Sequence, residues 1–283
     1  MAKITQKIPA KINLTLDVKG KIGNLHEIES LVISVDIYDK ITVKKRKDDK
    51  ITLKEKGILT FCKIEDNNAY KTAKLFQETY QTKGVDIIIK KKIPLAGGLG
   101  GSSADIVGVL IAMNKLFRAD ADLKKLSAKL GSDVVYMLNG GFSLMTETGN
   151  KSVKLNLGFP LYFIILTNGK GIPSKDCYEK FDLLGESTES TSRDAFSYLL
   201  SKEFEKFKKV AKNDLYKPAK DILPELVEEM EILNKENADF LSMTGAGSSL
   251  FMMFKDKKRR DIAFKNLKKT EYKKRILKAE SVE

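Results

Sequence analysis

The chain has 283 residues, of which 42% are hydrophobic and 31% charged, and its formal net charge is +13. This composition is typical of a globular protein, and no apolar run approaches the ~18 residues of a membrane-spanning helix. The N-terminal residues lack the apolar segment of a signal peptide, and two cysteines with one histidine form no metal-ligand pattern. We therefore expect a cytoplasmic protein with two domains, no membrane partner and no protein-bound metal.

The positive charge allows binding to nucleic acid, but most of the lysines alternate with acidic or apolar residues. That pattern is typical of solvated faces of strands and helices, and a basic surface also attracts anionic small substrates. The basic runs contain almost no aromatic residue besides Tyr272, and the chain has no tryptophan, whereas proteins that bind single strands stack bases on aromatic rings. A non-enzymatic nucleic-acid-binding protein is therefore the weakest of our hypotheses.

In the first half of the chain, β-branched residues with period-2 stretches predict several strands over residues 3–56. Helical spacing predicts a helix over 67–81, and "GVDIIIKKKIP" reads as a strand ended by Pro94. A glycine loop and a helix over 102–117 follow, then two short helices that break at Gly131. Two strands are predicted around a turn at Gly149 and Asn150.

A second half begins near Leu155 with the buried strand "LYFIILTN". It continues with one or two helices in "RDAFSYLLSKEFEKFKKVAKN", a helix in "PELVEEMEILNKEN", and a strand–loop–strand in "ADFLSMTGAGSSLFMMF". A lysine-rich helix and a last strand complete the chain. Because strands and helices do not strictly alternate, we predict an α+β fold with domains at residues 1–154 and 155–283.

The segment "PLAGGLGGSSAD", which begins at Pro94, has the properties of a phosphate-binding loop. Its four glycines allow positive φ angles and close backbone approach, so that successive amides and the following helix N-terminus can face an anion. Ser102 and Ser103 can cap that helix or donate hydroxyls to a phosphate or metal. The loop has neither the Lys-Ser/Thr ending of a Walker A motif nor a dinucleotide fingerprint. The alternative is a plain strand-to-helix connection with glycine turns.

Here the chain resembles the GHMP small-molecule kinases. The resemblance covers five segments in the family's order, which are "IPAKINLTLDV", "PLAGGLGGSSAD", "LGSDVVYMLNGGFSLMTETGN", "NDLYKPAKDILPEL" and "LSMTGAGSSLF". It implies an N-terminal ATP-binding domain similar to the second domain of ribosomal protein S5, a ferredoxin-like C-terminal domain, and a cleft between them. It also implies ATP, Mg²⁺ and a small alcohol as partners, in a monomer or homodimer. Within the family, the opening segment is similar to that of kinases whose alcohol carries a cytidine diphosphate.

The resemblance assigns Lys11 and Asp133 as the catalytic pair. A carboxylate can accept the proton of the attacking hydroxyl, and a lysine beside it balances charge on the phosphoryl oxygens. Without the resemblance, Asp133 would be interpreted as a helix N-cap and Lys11 as a solvated strand lysine.

The remaining assignments also follow the family's motifs. His26 would hydrogen-bond the cytosine edge, Tyr178 would stack on the cytosine ring, and the two would bracket the base. Asn67 matches an adenine-side position, although a helix N-cap is its simpler interpretation. The ATP-binding residues are Pro94, Leu95, Ala96, Gly97, Gly98, Leu99, Gly100, Gly101, Ser102, Ser103, Ala104 and Asn67; those for the alcohol are Asn13, His26, Tyr178, Thr244, Gly245 and Gly247.

Three positions depart from the family's usual pattern. Leu25 replaces an aromatic residue, Ser102 a glycine, and Ala104 a serine. A related kinase that acts on a different alcohol is therefore the second hypothesis.

Overall fold

The computed structural model describes residues 2–185 and 189–283. The strands within them are β1 (Lys3–Asn13), β2 (Asp17–Ile22), β3 (Leu25–Lys45), β4 (Thr52–Gly57), β5 (Val85–Lys91), β6 (Phe142–Thr146), β7 (Lys151–Leu155), β8 (Tyr162–Leu166), β9 (Phe240–Met243), β10 (Leu250–Phe254) and β11 (Ile276–Val282). The helices are α1 (Asn68–Tyr80), α2 (Gly101–Phe117), α3 (Leu123–Leu130), α4 (Ser132–Asn139), α5 (Ser174–Leu184), α6 (Ser192–Leu200), α7 (Phe204–Val210), α8 (Tyr216–Ile222), α9 (Glu225–Asn234) and α10 (Lys257–Leu267).

The α+β fold is confirmed, and most predicted elements are present. The helix predicted over 67–81 is α1, the one over 102–117 is α2, and Gly131 separates α3 from α4. Helices α5 and α8 were not predicted. Helix α5 buries Cys177 and Phe181, whose spacing of four residues is typical of a helix, so its sequence carried a short signal that was overlooked.

One compact unit comprises Met1–Ala10, Ile37–Leu95 and Gly100–Asn139. In it, β5 pairs in parallel with β4 and antiparallel with the second half of β3, where Ile41 faces Ile89. Helix α1 packs against α2. A Cβ atom at Gly108 of α2 would lie 2.6 Å from Ile41 Cδ1, so only glycine lets this part of α2 approach the strand so closely.

The second unit comprises Lys11–Asp36, Ala96–Leu99 and Gly140–Glu283. Its strands β9, β10, β8 and β11 form antiparallel neighbours in that order, and β11 also pairs with β3 through Ser281 and Val35. β6 pairs with β3 and β7, and β2 forms a hairpin with β3. A core of aliphatic and aromatic side chains includes Ile164, Leu166, Phe181, Leu226 and Met252. The units are assembled from alternating chain segments, and the domain boundary at Leu155 stays a prediction.

Candidate active site

The glycine loop connects β5 to α2, as predicted. Its backbone takes positive φ at alternate residues, with values of 50° at Ala96, 73° at Gly98 and 76° at Gly100. Such alternation turns successive N–H groups toward the same side, and this geometry binds anions in other proteins. Gly100 is the N-cap of α2, and no side chain caps the helix. The first N–H groups of α2 therefore have no intrahelical acceptor and no side-chain cap.

The expected capping by Ser102 and Ser103 is wrong, because both residues lie inside the first turn of α2. Ser102 is exposed, and its Oγ accepts a hydrogen bond of 2.7 Å from Asn68 Nδ2 at the start of α1. Neither serine hydroxyl stands at the N-cap position, which the left-handed backbone of Gly100 fills instead.

Lys11 is buried rather than solvated, with 3% of its surface exposed. Its Nζ donates to Asn13 Oδ1 at 2.5 Å, and Asn13 Nδ2 donates to Ser30 Oγ at 2.8 Å. The backbone N–H of Lys11 also donates to the carbonyl of Leu99 at 3.0 Å. These hydrogen bonds and the burial fix the position of the Lys11 side chain.

The C-terminal glycine motif meets the same network. Asn13 N donates to Thr244 Oγ1 at 2.9 Å, and Thr244 Oγ1 donates to the carbonyl of Gly98 at 3.3 Å. A Cβ atom at Gly98 would lie 2.1 Å from the Thr244 carbonyl oxygen, and one at Gly245 would lie 3.3 Å from Gly98 Cα. Residues predicted from three separate motifs are thus in contact in the second unit.

The other glycine of that motif, Gly247, has φ 88°, and a Cβ there would lie 2.7 Å from Met243 Sδ. Any side chain at this position would therefore both strain the backbone and clash with a buried neighbour.

Asp133 lies in the first turn of α4, where a carboxylate interacts favourably with the helix dipole. The side chain is half-buried, and the helix begins one residue earlier, at Ser132. Lys11 and Asp133 belong to different units, and their pairing stays a prediction.

Asn67 fulfils the simpler of its two interpretations, because it is the N-cap of α1. Its Oδ1 accepts from Ala69 N at 2.9 Å, and its Nδ2 donates to Glu55 Oε1 at 3.1 Å. An adenine contact at Asn67 stays a prediction and would require a change in this network.

His26 and Tyr178 are in direct contact. Their ring centroids lie 4.5 Å apart at an interplanar angle of 22°, so the rings stack on each other. A base can be bracketed by the two only if they separate. Once separated, each ring would offer a flat face to a base.

Two charged residues around His26 were missed. His26 Nε2 lies 2.7 Å from Asp182 Oδ1, and Lys21 Nζ donates to Asp182 Oδ2 at 2.6 Å. Hydrogen bonds from His26 and then Lys21 hold the pKa of Asp182 below its usual range. Neither residue was assigned from the sequence, because α5 was not predicted and the register that places Lys21 opposite His26 is a feature of the structure.

A pocket of about 240 Å³ opens beside this cluster. It is lined by Val18, Lys19, Gly20, Lys21, His26, Phe181, Asp182 and Gly185. Leu25, next to His26 at the tip of the hairpin, is 59% exposed.

No helix among the described residues is long and apolar enough to cross a membrane.

Comparisons with known proteins identify the family of the chain. Residues 67–145 match the GHMP kinases N terminal domain, and residues 195–274 match the GHMP kinases C terminal domain. The chain is 33% identical over 251 residues to the 4-diphosphocytidyl-2-C-methyl-D-erythritol kinase of Desulfitobacterium hafniense, covering 86% of this chain and 84% of that one. It is 30% identical over 277 residues to the protein of the same name from Clostridium beijerinckii, covering 93% and 95%.

A solved structure agrees as well. The crystal structure of a 4-(cytidine 5'-diphospho)-2C-methyl-D-erythritol kinase matches with a TM-score of 0.82 and 25% identity, covering 99% of this chain and 100% of that one. The fold and the matched domains define an ATP-dependent small-molecule kinase. The chain belongs to the GHMP kinase family.

Proposed function

We propose that the chain transfers the γ-phosphoryl group of ATP to the 2-hydroxyl of 4-diphosphocytidyl-2-C-methyl-D-erythritol, a step of non-mevalonate isoprenoid synthesis. The products are the 2-phosphate and ADP. The names and coverage of the relatives support this substrate. The observation that carries the proposal is the buried network in which Lys11, Asn13 and Thr244 join the glycine loop at Gly98.

In this proposal the N–H groups between Gly97 and Ser103 bind the ATP phosphates. The alternating positive φ angles and the uncapped start of α2 supply donors and a partial positive charge. A phosphoryl group in transfer carries charge on its three equatorial oxygens, so positioning and electrostatic stabilisation account for most of the catalysis.

Asp133 accepts the proton of the attacking hydroxyl, and Lys11 stabilises the charge on the phosphoryl oxygens. Because Lys11 is held by Asn13 at 2.5 Å, its ammonium needs little reorganisation when that charge develops. Asn13 also contributes to binding of the alcohol, together with Thr244, Gly245 and Gly247.

The cytidine end of the alcohol would meet His26 and Tyr178. Lys19 and Lys21 line the 240 Å³ pocket, where they pair with Glu27 and Asp182. A diphosphate-bearing substrate would compete with these carboxylates for the two ammonium groups. The hairpin presents Leu25 where the family has an aromatic residue. This replacement is the feature that keeps a different alcohol as the second candidate.

Mg²⁺ would accompany ATP in this reaction. The described residues contain no group of three or more His, Cys, Asp or Glu side chains able to hold a metal ion. Mg²⁺ commonly retains waters and binds through substrate phosphates with one or two protein oxygens, so the ion fits as a partner of the nucleotide. When bound, it would neutralise phosphate charge.

We place the reaction in the cytoplasm. Size-exclusion chromatography would distinguish a monomer from a homodimer.

A coupled assay of ADP release tests the substrate. We expect turnover with the cytidyl alcohol to exceed turnover with mevalonate, homoserine or galactose by orders of magnitude. A preference for any of the other three alcohols would overturn the proposed substrate while leaving the kinase class intact.

Two variants test the assigned roles. Asp133→Asn cannot accept the proton, so its kcat should fall by about 10²–10⁴-fold with KM little changed. An Asp133→Asn enzyme that retains most of its kcat would exclude Asp133 as the base.

Gly100→Val places a side chain at a φ of 76° beside the proposed phosphate site, so ATP affinity measured by calorimetry should fall severely. Unchanged affinity in a folded Gly100→Val variant would contradict the loop assignment.

A further inference from the structure

Three charged side chains are buried in the first unit, next to the ends of the glycine loop. Lys91 is the last residue of β5, Asp39 lies on β3, and Asp105 lies in the first half of α2. Their exposed fractions are 2%, 0% and 4%. We call this set the Lys91 clasp.

The clasp links the chain before the loop to the chain after it. Lys91 Nζ donates to Asp39 Oδ2 at 2.8 Å and to Asp105 Oδ2 at 2.5 Å. Asp39 Oδ1 also accepts the backbone N–H groups of Lys92 at 2.6 Å and Ile93 at 2.9 Å. The strand end that leads into Pro94 and the helix that follows Gly100 are therefore held by one bridging ammonium.

A contribution to the stability of the fold does not explain why these three charged groups are buried together. Two carboxylates and one ammonium lose their hydration on burial, and apolar residues of similar volume often stabilise such a site as well or better. Asp105 Oδ1 is buried and has no hydrogen-bond partner among the described residues, so the cluster is not optimised for satisfied polar groups. Burial raises the pKa of Asp105 despite the opposing charge of Lys91.

The loop itself needs fixed ends. A non-glycine residue, Ala96, has a φ of 50°, and Gly98 and Gly100 are also left-handed. Such a backbone persists only where its surroundings determine it strongly. Ionic contacts with directed hydrogen bonds define the position of the two ends more sharply than apolar packing does.

We propose that Lys91, Asp39 and Asp105 are positioning residues for ATP: they fix the spacing between the two ends of the glycine loop and so preset the backbone amides that receive the phosphates. This inference rests on the proposed function, in which that loop binds ATP. The three side chains act through the loop and need not touch the nucleotide.

Variants at Asp105 test the inference in the full-length enzyme. Asp105→Ala removes the link to α2 but leaves Lys91 and the two N–H groups bound to Asp39, whereas Asp105→Asn keeps an oxygen that can accept from Lys91. We expect Asp105→Ala to raise the Kd of ATP by about tenfold or more, because small displacements of binding groups have large effects. Asp105→Asn should recover most of the affinity. The Kd of adenosine, which lacks phosphates, and the KM of the alcohol should not change.

Glu229→Ala is the matched control, because Glu229 is also a buried carboxylate, 3% exposed, that pairs with Arg275 in the second unit. It should lower the melting temperature without changing the Kd of ATP. If Asp105→Ala behaves in the same way, the clasp is only structural and the inference fails. If Asp105→Ala does not fold, Asp39→Asn is measured in its place, because it removes the oxygen of Asp39 that accepts from Lys91.

Gly100→Val separates this inference from the proposed function. Loss of ATP affinity in Gly100→Val without any loss in Asp105→Ala overturns the clasp alone. Unchanged ATP affinity in Gly100→Val overturns the loop assignment and, with it, the inference.

Discussion

Replacing Asp105 by asparagine should change how the stability of the protein depends on pH. Burial raises the pKa of Asp105 to about 7, and Asp39 and Glu55 add to the effect while Lys91 opposes it. Burial alone would lower the pKa of Lys91, but the charges of Asp105 and Asp39 outweigh it and the pKa is raised. Lys91 therefore stays protonated over the acidic and neutral range, and Asp105 is the member of the clasp that titrates there.

The size of this change in stability follows from the difference between the pKa of Asp105 in the folded and in the unfolded protein. In the unfolded chain its pKa is about 3.9, so between that value and about 7 the folded state binds more protons and stability falls as pH rises. The full difference corresponds to roughly 4 kcal/mol, which is an upper bound because Lys91 shares the interaction. Asp105→Asn has no proton to lose, so its stability should increase relative to the wild type from pH 4 toward pH 8.

Urea unfolding of both proteins at several pH values measures this effect. At acidic pH the two should have similar midpoints, since asparagine resembles the protonated acid in shape and charge. Near pH 8 the variant should be more stable than the wild type. All other carboxylates cancel in the difference. A difference in unfolding free energy that is constant from pH 4 to 8, or that moves the other way, would refute the assigned titration.

Two further predictions concern packing and thiol accessibility. Gly108→Ala should lower the unfolding free energy by about 1–3 kcal/mol, because its Cβ would lie 2.6 Å from Ile41 Cδ1. Gly20→Ala, whose Cβ would have no neighbour within 4 Å, is the control, and an equal loss in both would contradict the packing argument. Burial raises the pKa of the Cys177 thiol to about 12, whereas Cys62 is exposed. Alkylation at pH 8 followed by mass spectrometry should therefore modify Cys62 alone in the native protein, and equal modification of both would show that Cys177 is accessible.

The elements that the sequence predicted correctly are those with strong periodicity. Helix α2 reads as an uninterrupted apolar helix, and nine of its residues are buried. Helix α5 was missed although Cys177 and Phe181 have helical spacing, because two buried side chains make a short pattern. The contact between Thr244 and Gly98 could not be derived from the residues either, since it joins positions 146 residues apart; only the resemblance to a family indicated that these motifs act together.

Buried charge was the least predictable feature. Most of the lysines were interpreted as lying on solvated faces, yet Lys91 lies inside the protein. The strand does contain a pattern that predicts its burial. Val85, Ile87 and Ile89 are buried, and Lys91 continues their period of two. A lysine in phase with a buried face implies a buried counter-charge, but the sequence does not identify the partner, since Asp39 lies 52 residues away.

The candidate site combines a buried hydrogen-bond network with an exposed hairpin tip. Lys11, Asn13 and Thr244 hold one another and the glycine loop through buried hydrogen bonds, so a substitution at any of them would leave a buried polar partner unsatisfied. The hairpin around Leu25, by contrast, is exposed at its tip, where a side chain can change at little cost to the fold. In the proposed function, a change at the hairpin tip would alter contacts with the alcohol and leave the buried network at the glycine loop intact. We therefore expect Leu25→Tyr to change the ratio of kcat/KM for the cytidyl alcohol to kcat/KM for other alcohols. The Kd of ATP should stay constant.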